Sequence, residues 1–350
     1  MSVLNPFWHG TPVPLEKFIG REEKLRSITS RISTGQSVAI SGSPRSGKTS
    51  ILYYLMAPER QVELYGDDAD KLIFSYLDAA LWDNQFDKTQ FWREALLPLS
   101  EYIQDNTNIP PSLTKAYQTC QENEFGTFVL EKLFAQFKQI NKHLILIVDG
   151  FDLLLHHPTY LQNSTEFFGG LRSVASHSRG TLAVIIAINL SVTQLTEKVQ
   201  DFTRSGSPYF NFMDEVILGP LSPPEIDKLL KPARERFTPA EEILIKEMAG
   251  GHPYLLQVLA SCLWEIDERT DSIQRQQQAV KDFYLKVEDI LEATWHTWQT
   301  LAQQAFTSVA LVQMEKLKQA FQRQGIDVES ISKQIPRLKS ELELLKNMVF

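Results

Sequence analysis

Eight consecutive residues, Gly42-Ser43-Pro44-Arg45-Ser46-Gly47-Lys48-Thr49, constrain the fold of this chain more than any other stretch. They stand directly between a continuous apolar run, Ser37–Ser41, and a helical pattern over 50–56. Two glycines allow the backbone to curl, and a helix that begins where the curl ends leaves its first N–H groups without partners inside the helix. Strand, loop and helix must therefore form one unit, the first half of a β-α-β crossover. Three further apolar runs follow at 72–77, 144–148 and Leu182–Ile188, with a short fifth at 216–218. They are continuous rather than alternating, as strands buried on both faces are, and the stretches between them leave room for crossover helices. The expectation is an α/β fold, a doubly wound parallel sheet, through about residue 219.

Beyond Gly219-Pro220 the pattern turns helical. Ser222-Pro223-Pro224-Glu225 reads as a helix start with prolines in its first turn, and Gly250-Gly251 as a helix end. A further helix begins at Pro253, with Leu255, Leu256, Leu259, Cys262, Leu263 and Ile266 at helical spacing, which assigns Cys262 to the core. The polar stretch 267–278 reads as a solvated helix or a linker. Three domains are expected: a core over 1–219, a helical lid over 220–278 and a C-terminal helical module over 279–350. In the last, helices are expected at 301–312 and 337–348, with a turn at Gln324-Gly325, a pattern that resembles the start of a winged helix.

Composition narrows the setting. No apolar run approaches the roughly 20 residues that span a bilayer, and the N-terminus lacks the basic and apolar regions of a signal peptide. A cytoplasmic location without membrane contact is expected. Two cysteines, Cys120 and Cys262, support neither a disulfide framework nor a cysteine zinc site. A net charge of -8 argues against a whole-molecule electrostatic grip on nucleic acid.

The eight-residue stretch matches the Gly-x-x-x-x-Gly-Lys-Thr phosphate-binding pattern in full. Backbone N–H groups from Gly42 to Thr49, and on into Ser50, would face phosphate oxygens. Lys48 would bring a positive charge to them, from a side chain expected to face solvent when no phosphate is bound. The Thr49 hydroxyl would join the oxygen shell of Mg²⁺. The run 144–148 ends at Asp149, the expected second metal-side oxygen donor, and the next residue is Gly150 rather than a carboxylate. Asp152 then reads either as the group that orients a water or as a helix cap. Asn189, after the fourth run, reads either as a γ-phosphate sensor or as turn chemistry.

Four landmarks in order resemble the signal-transduction ATPases with numerous domains, the STAND class, relatives of the AAA+ and origin-recognition ATPases. They are Asn5-Pro6-Phe7 with Phe18-Ile19-Gly20-Arg21-Glu22, the phosphate loop, Asp149-Gly150-Phe151-Asp152, and Gly251-His252-Pro253-Tyr254. The resemblance covers roughly residues 5–290. It implies that Phe18, Ile19, Gly20 and Arg21 lie near an adenine and that Pro253 packs near the same base. It further implies ATP or ADP with Mg²⁺ as cofactors, a nucleotide switch, a homo-oligomer on ATP binding, and a partner or effector protein outside these residues. Leu153 stands where that class usually has another acidic residue, which together with Gly150 points to slow hydrolysis. Two rivals stay open: a DNA-associated ATPase using its C-terminal module, against which the acidic balance counts, and a scaffold that binds nucleotide without turnover.

Other residues carry blander readings. His156-His157 reads as a loop pair, Trp295, Trp298 and Phe306 as core, and Arg172 and Arg179 as solvated surface rather than an arginine finger.

Overall fold

All seven residues of Leu182–Ile188 are buried, and a strand covered on both faces needs a sheet with helices on each side. A computed structural model of the protein shows this arrangement; it describes residues 4–162, 164–203, 208–298, 300–313, 319, 322 and 323. The chain divides into two compact units. An α/β unit comprises Pro14–Gly42 and Lys48–Leu218, and a helical unit comprises Met1–Val13, Ser43–Gly47 and Gly219–Phe350.

In the α/β unit the elements run α1 (Glu22–Ser33), β1 (Ser37–Ser41), α2 (Lys48–Met56), α3 (Gln61–Tyr65), β2 (Leu72–Asp78), α4 (Lys88–Ala95), α5 (Leu97–Asp105), α6 (Pro111–Glu122), α7 (Thr127–Phe137), β3 (His143–Asp149), α8 (Pro158–Gln162), α9 (Ser164–His177), β4 (Leu182–Ile188), α10 (Val192–Thr203) and β5 (Met213–Ile217). The strands pair in the order β2-β3-β4-β1-β5, all parallel. Alternate residues serve opposite faces: Leu182, Val184, Ile186 and Ile188 pack with the helices α4 to α10, while Ala183, Ile185 and Ala187 pack with α1, α2 and α3. Register is fixed where it matters to the site. Asp78 pairs with Asp149, Val148 with Ile186, and Ile40 with Ala187, so the ends of β3, β4 and β1 lie side by side. The fifth strand is Met213–Ile217, upstream of the apolar 216–218 expected from sequence. Its Asp214 and Glu215 are exposed, as an edge strand paired only with β1 permits, and those charges hid it from a reading by apolar runs.

The helical unit holds α11 (Pro223–Leu230), α12 (Pro239–Ala249), α13 (Pro253–Glu265), α14 (Ser272–Thr297) and α15 (Thr300–Gln313). Proline opens three of these helices, where its missing N–H costs nothing. Thr238 and Glu241 cap α12 reciprocally. Gly250 ends α12 with a positive φ of 57°. Gly251 has no room for a side chain, since a Cβ there would meet Pro220 Cβ at 2.5 Å, and its carbonyl accepts from Leu221 N–H at 2.8 Å. Arg275 reaches the fully buried Glu241 at 3.4 Å and donates to Leu263 O, tying α14 to α12 and α13. Asp271 caps α14, which continues without a break past residue 279. The stretch 272–278 is therefore helix, not linker.

Cys262 is buried in α13. Trp295, Trp298 and Phe306 pack ring against ring at 5.4 to 6.1 Å. The expected turn at Gln324-Gly325, the helix over 337–348 and the winged-helix reading lie outside the described residues. Among the described residues, no helix is long and apolar enough to cross a membrane.

Candidate functional site

In the α/β unit the site grows from three adjacent strand ends. Gly42 follows β1 and donates its N–H to Ile188 O at 3.2 Å, which joins the loop's entrance to the end of β4. Lys48 opens α2, and its ammonium does not face solvent as the sequence suggested: it donates to Gly42 O at 2.8 Å and to Asn189 Oδ1 at 2.9 Å. Burial pushes this amine down from its ordinary value of 10.5 to about 8, against the opposing pull of Asp152 and then Asp149. Asn189 turns its other group to Asp152, whose Oδ2 accepts from the Asn189 amide at 3.2 Å and from its backbone N–H at 3.3 Å. The buried Asp152 Oδ1 has no hydrogen-bond partner among the described residues. Asp152 belongs to the short helix Phe151–His156, entered through Gly150 at φ 67°.

Beside this network lies a second one. Thr49 Oγ donates to Asp149 Oδ2 at 2.6 Å, joining residues that are a hundred positions apart in sequence. Tyr76 OH donates to the same oxygen at 3.2 Å. The phenol is raised above its ordinary value, chiefly by burial, then by its hydrogen bond with Tyr53 and the Asp149 charge. Because Thr49 commits its proton to the carboxylate, its oxygen lone pairs remain for a hard cation, and Asp149 Oδ1 adds a second oxygen. Mg²⁺ characteristically takes one or two protein oxygens, with phosphate and water supplying the rest. Among the described residues no group of three or more His, Cys, Asp or Glu could hold a metal without such help. The donor set thus fits a magnesium–phosphate ligand, and Lys48 adds the cationic complement.

The tip of the loop, Ser43–Gly47, belongs to the helical unit. Gly47 takes a positive φ of 96° with open space where a Cβ would stand. Arg45 also has a positive φ, 62°, a costly conformation for a side chain of its size. Its guanidinium donates to Gly10 O at 2.9 Å and lies 5.5 Å over the Tyr254 ring. One nitrogen of His252 is 3.1 Å from Pro44 O. Ser43 and Ser46 are buried, and Ser46 N–H donates to Ser43 O at 3.2 Å. Pro253, the neighbour of these anchors, is the first residue of α13.

Phe18 stacks on Tyr54 of α2 at 4.5 Å, while Ile19 is half-buried and Gly20 and Arg21 are buried at the approach to α1. Ser50 is buried in the first turn of α2. His157 is buried with one ring nitrogen 2.6 Å from Asp83 O, whereas His156 is exposed. Arg179 is exposed in the turn before β4, at the end of the sheet opposite Asp149, and Arg172 lies within α9. Tyr76 was missed by sequence reasoning. Its only signal is an aromatic residue near the end of an apolar run, and its role needs the pairing of β2 with β3.

Comparison with solved structures gives a likeness of fold. The Walker-type ATPase paby2304 of Pyrococcus abyssi is 18% identical, covers 95% of this chain and 90% of its own, and superposes with a TM-score of 0.56. The Aeropyrum pernix ORC1 protein, solved in complex with DNA, is 14% identical over 95% of this chain and 85% of its own, with a TM-score of 0.47. The ADP form of the Aeropyrum pernix ORC2 protein is 13% identical over 97% and 87%, with a TM-score of 0.49. No curated protein matches the sequence. The AAA-like domain matches residues 11–331, a span that takes in every strand of the sheet and the helices beyond it. On that match the chain belongs to the AAA-like domain family of nucleotide-binding P-loop ATPases.

Proposed function

We propose that the protein is a nucleotide-dependent switch of the STAND type. It binds ATP or ADP with Mg²⁺, hydrolyses ATP slowly, and uses the bound nucleotide to control assembly with further copies of itself or engagement of a partner protein. The observation that carries this reading is the relay at the phosphate loop, in which Lys48 donates to Asn189 and Asn189 donates to Asp152. A phosphate that draws Lys48 away from Asn189 acts on Asp152 through these bonds. A ligand shifts such an equilibrium only by its difference in affinity for the two states, and the γ-phosphate supplies that difference between ATP and ADP. His252, Arg45 and Tyr254 are the side chains through which the helical unit holds its share of the loop.

Bound Mg²⁺ and nucleotide supply a phosphoryl group for transfer to water and a cation that offsets charge on its oxygens. The chain's own residues do the rest. Lys48 exchanges a carbonyl or amide partner for phosphate oxygen, Thr49 and Asp149 hold the cation, and Asn189 senses the γ-phosphate through its links to Lys48 and Asp152. Phe18, Ile19, Gly20, Arg21 and Pro253 are assigned to the base. Slow turnover is supported by Gly150 where a carboxylate would follow Asp149 and by an Asp152 already half engaged with Asn189. A positioned general base is worth roughly 10²–10⁴-fold in rate.

The test is limited proteolysis and mass-resolved gel filtration with ADP and with a non-hydrolysable ATP analogue, on the parent and on Pro253→Ala. A switch gives different patterns with the two nucleotides, blunted in Pro253→Ala more than ATP affinity is. Identical patterns for ADP and the ATP analogue in the parent overturn the switch while leaving nucleotide binding intact.

A further inference from the structure

Asp149 is oriented by two hydroxyls from different elements, and the second of them belongs to a residue that no phosphate-loop pattern names. Tyr76 pairs in register with Ile147, two residues before Asp149 on the adjacent strand. Side chains two apart on a strand share a face, so Tyr76, Ile147 and Asp149 all serve the side of the sheet covered by α1, α2 and α3. Two residues of strand advance roughly 6.6 Å at about 3.3 Å per residue, a reach that tyrosine has and serine or threonine lacks. The phenol meets Asp149 Oδ2 at 3.2 Å, with the Tyr53 ring of α2 packed 5.4 Å from its own.

Packing explains the ring, and the hydroxyl, which also meets the Tyr53 phenol, reaches Asp149 for a reason that packing does not supply. Phe74, the residue two earlier on the same face, packs against Tyr65 with no hydroxyl at all. Among the described residues, the Thr49 and Tyr76 hydroxyls both donate to Asp149 Oδ2, which leaves Oδ1 without a protein donor. Without Tyr76, Thr49 would be the sole donor fixing this carboxylate while also lending its lone pairs to a cation.

We infer that Tyr76 is a positioning residue: its hydroxyl holds Asp149 Oδ2 so that Oδ1 and the Thr49 oxygen are presented together to Mg²⁺. It acts through Asp149 and does not itself touch nucleotide or metal. The inference rests on the nucleotide reading given above. Partners that orient metal ligands characteristically change metal affinity or activity by 10–100-fold when removed.

The experiment titrates a fluorescent non-hydrolysable ATP analogue with Mg²⁺ and with EDTA, in the parent, Tyr76→Phe, Asp149→Asn and the double variant. The quantity read is the Mg²⁺-dependent gain in affinity, a ratio insensitive to a modest loss of folded protein. Tyr76→Phe should leave the EDTA affinity and the apo melting temperature near the parent's while cutting the Mg²⁺ gain about 10-fold. In the Asp149→Asn background the same change should do nothing further. A parent with the Mg²⁺ gain and a Tyr76→Phe variant with an equal gain would overturn this inference alone. A parent that binds no analogue in either condition would overturn the nucleotide reading and this inference with it. Equal effects of Tyr76→Phe with and without Asp149 would mark the hydroxyl as a packing element.

Discussion

Replacing Lys48 by Met separates the electrostatic cost of the loop lysine from its use. The ammonium is held by Gly42 O and Asn189 Oδ1, and burial lowers its pKa from 10.5 to about 8. Below about pH 8 both folded and unfolded chains keep the proton, so this residue adds no pH slope. Between about 8 and 10.5 the unfolded chain keeps the proton and the folded protein releases it, so folding stability rises with pH. At about 1.36 kcal/mol per unit, the whole window of about 2.5 units amounts to roughly 3 kcal/mol. Urea denaturation of parent and Lys48→Met from about pH 7 to 10 reads the difference, in which the titration of all other groups cancels. The parent should gain about 2–3 kcal/mol on the variant over that range. ATP affinity should move the opposite way, because phosphates favour the charged amine: the parent should lose affinity above about pH 8, towards tenfold per unit. A stability difference that stays flat with pH would refute the buried ammonium. A parent affinity unchanged across the window would show that Lys48 is not the phosphate ligand.

Three further outcomes test other parts of the structure. Asp152→Asn keeps an oxygen for the Asn189 donors but no carboxylate, so ATP affinity should stay near the parent's while turnover falls by about 10²-fold or more; turnover at the parental rate would mark Asp152 as structural. Arg275→Ala leaves Glu241 buried without its cation and should cost about 3–5 kcal/mol in urea denaturation, and a loss under about 1 kcal/mol would show the pair to be solvated. Gly251→Ala would press a methyl group against Pro220 and the Leu221 carbonyl, neither able to swing aside, and should destabilise the helical unit by about 2 kcal/mol or more in thermal melts.

The strand–loop–helix at 37–56 was legible because each part depends on near neighbours: a buried run, two glycines, a helix start. Four strands could be located from continuous apolar runs, which a sheet covered on both faces requires. The fifth was displaced because an edge strand tolerates charge at Asp214 and Glu215. The helix starts at Pro223 and Pro253 and the stop at Gly250 were likewise local signals. Candidate chemistry at Thr49 and Asp149 could be named from sequence, but not their meeting at 2.6 Å. That meeting depends on the strand order, which sets β4 beside β1 and β3 beside β4 although helices separate them in the chain. The same order made Tyr76 a neighbour of Asp149 and Lys48 a partner of Asn189, and it overturned the solvent-facing lysine. The division of the phosphate loop between two units is likewise invisible in a contiguous motif. Sequence alone determined which segments curl, extend and coil, since those preferences belong to single residues and their spacing. Which side chains share an oxygen, a charge or a unit was decided only by tertiary structure, because hydrogen bonds and burial act between atoms that folding brings together.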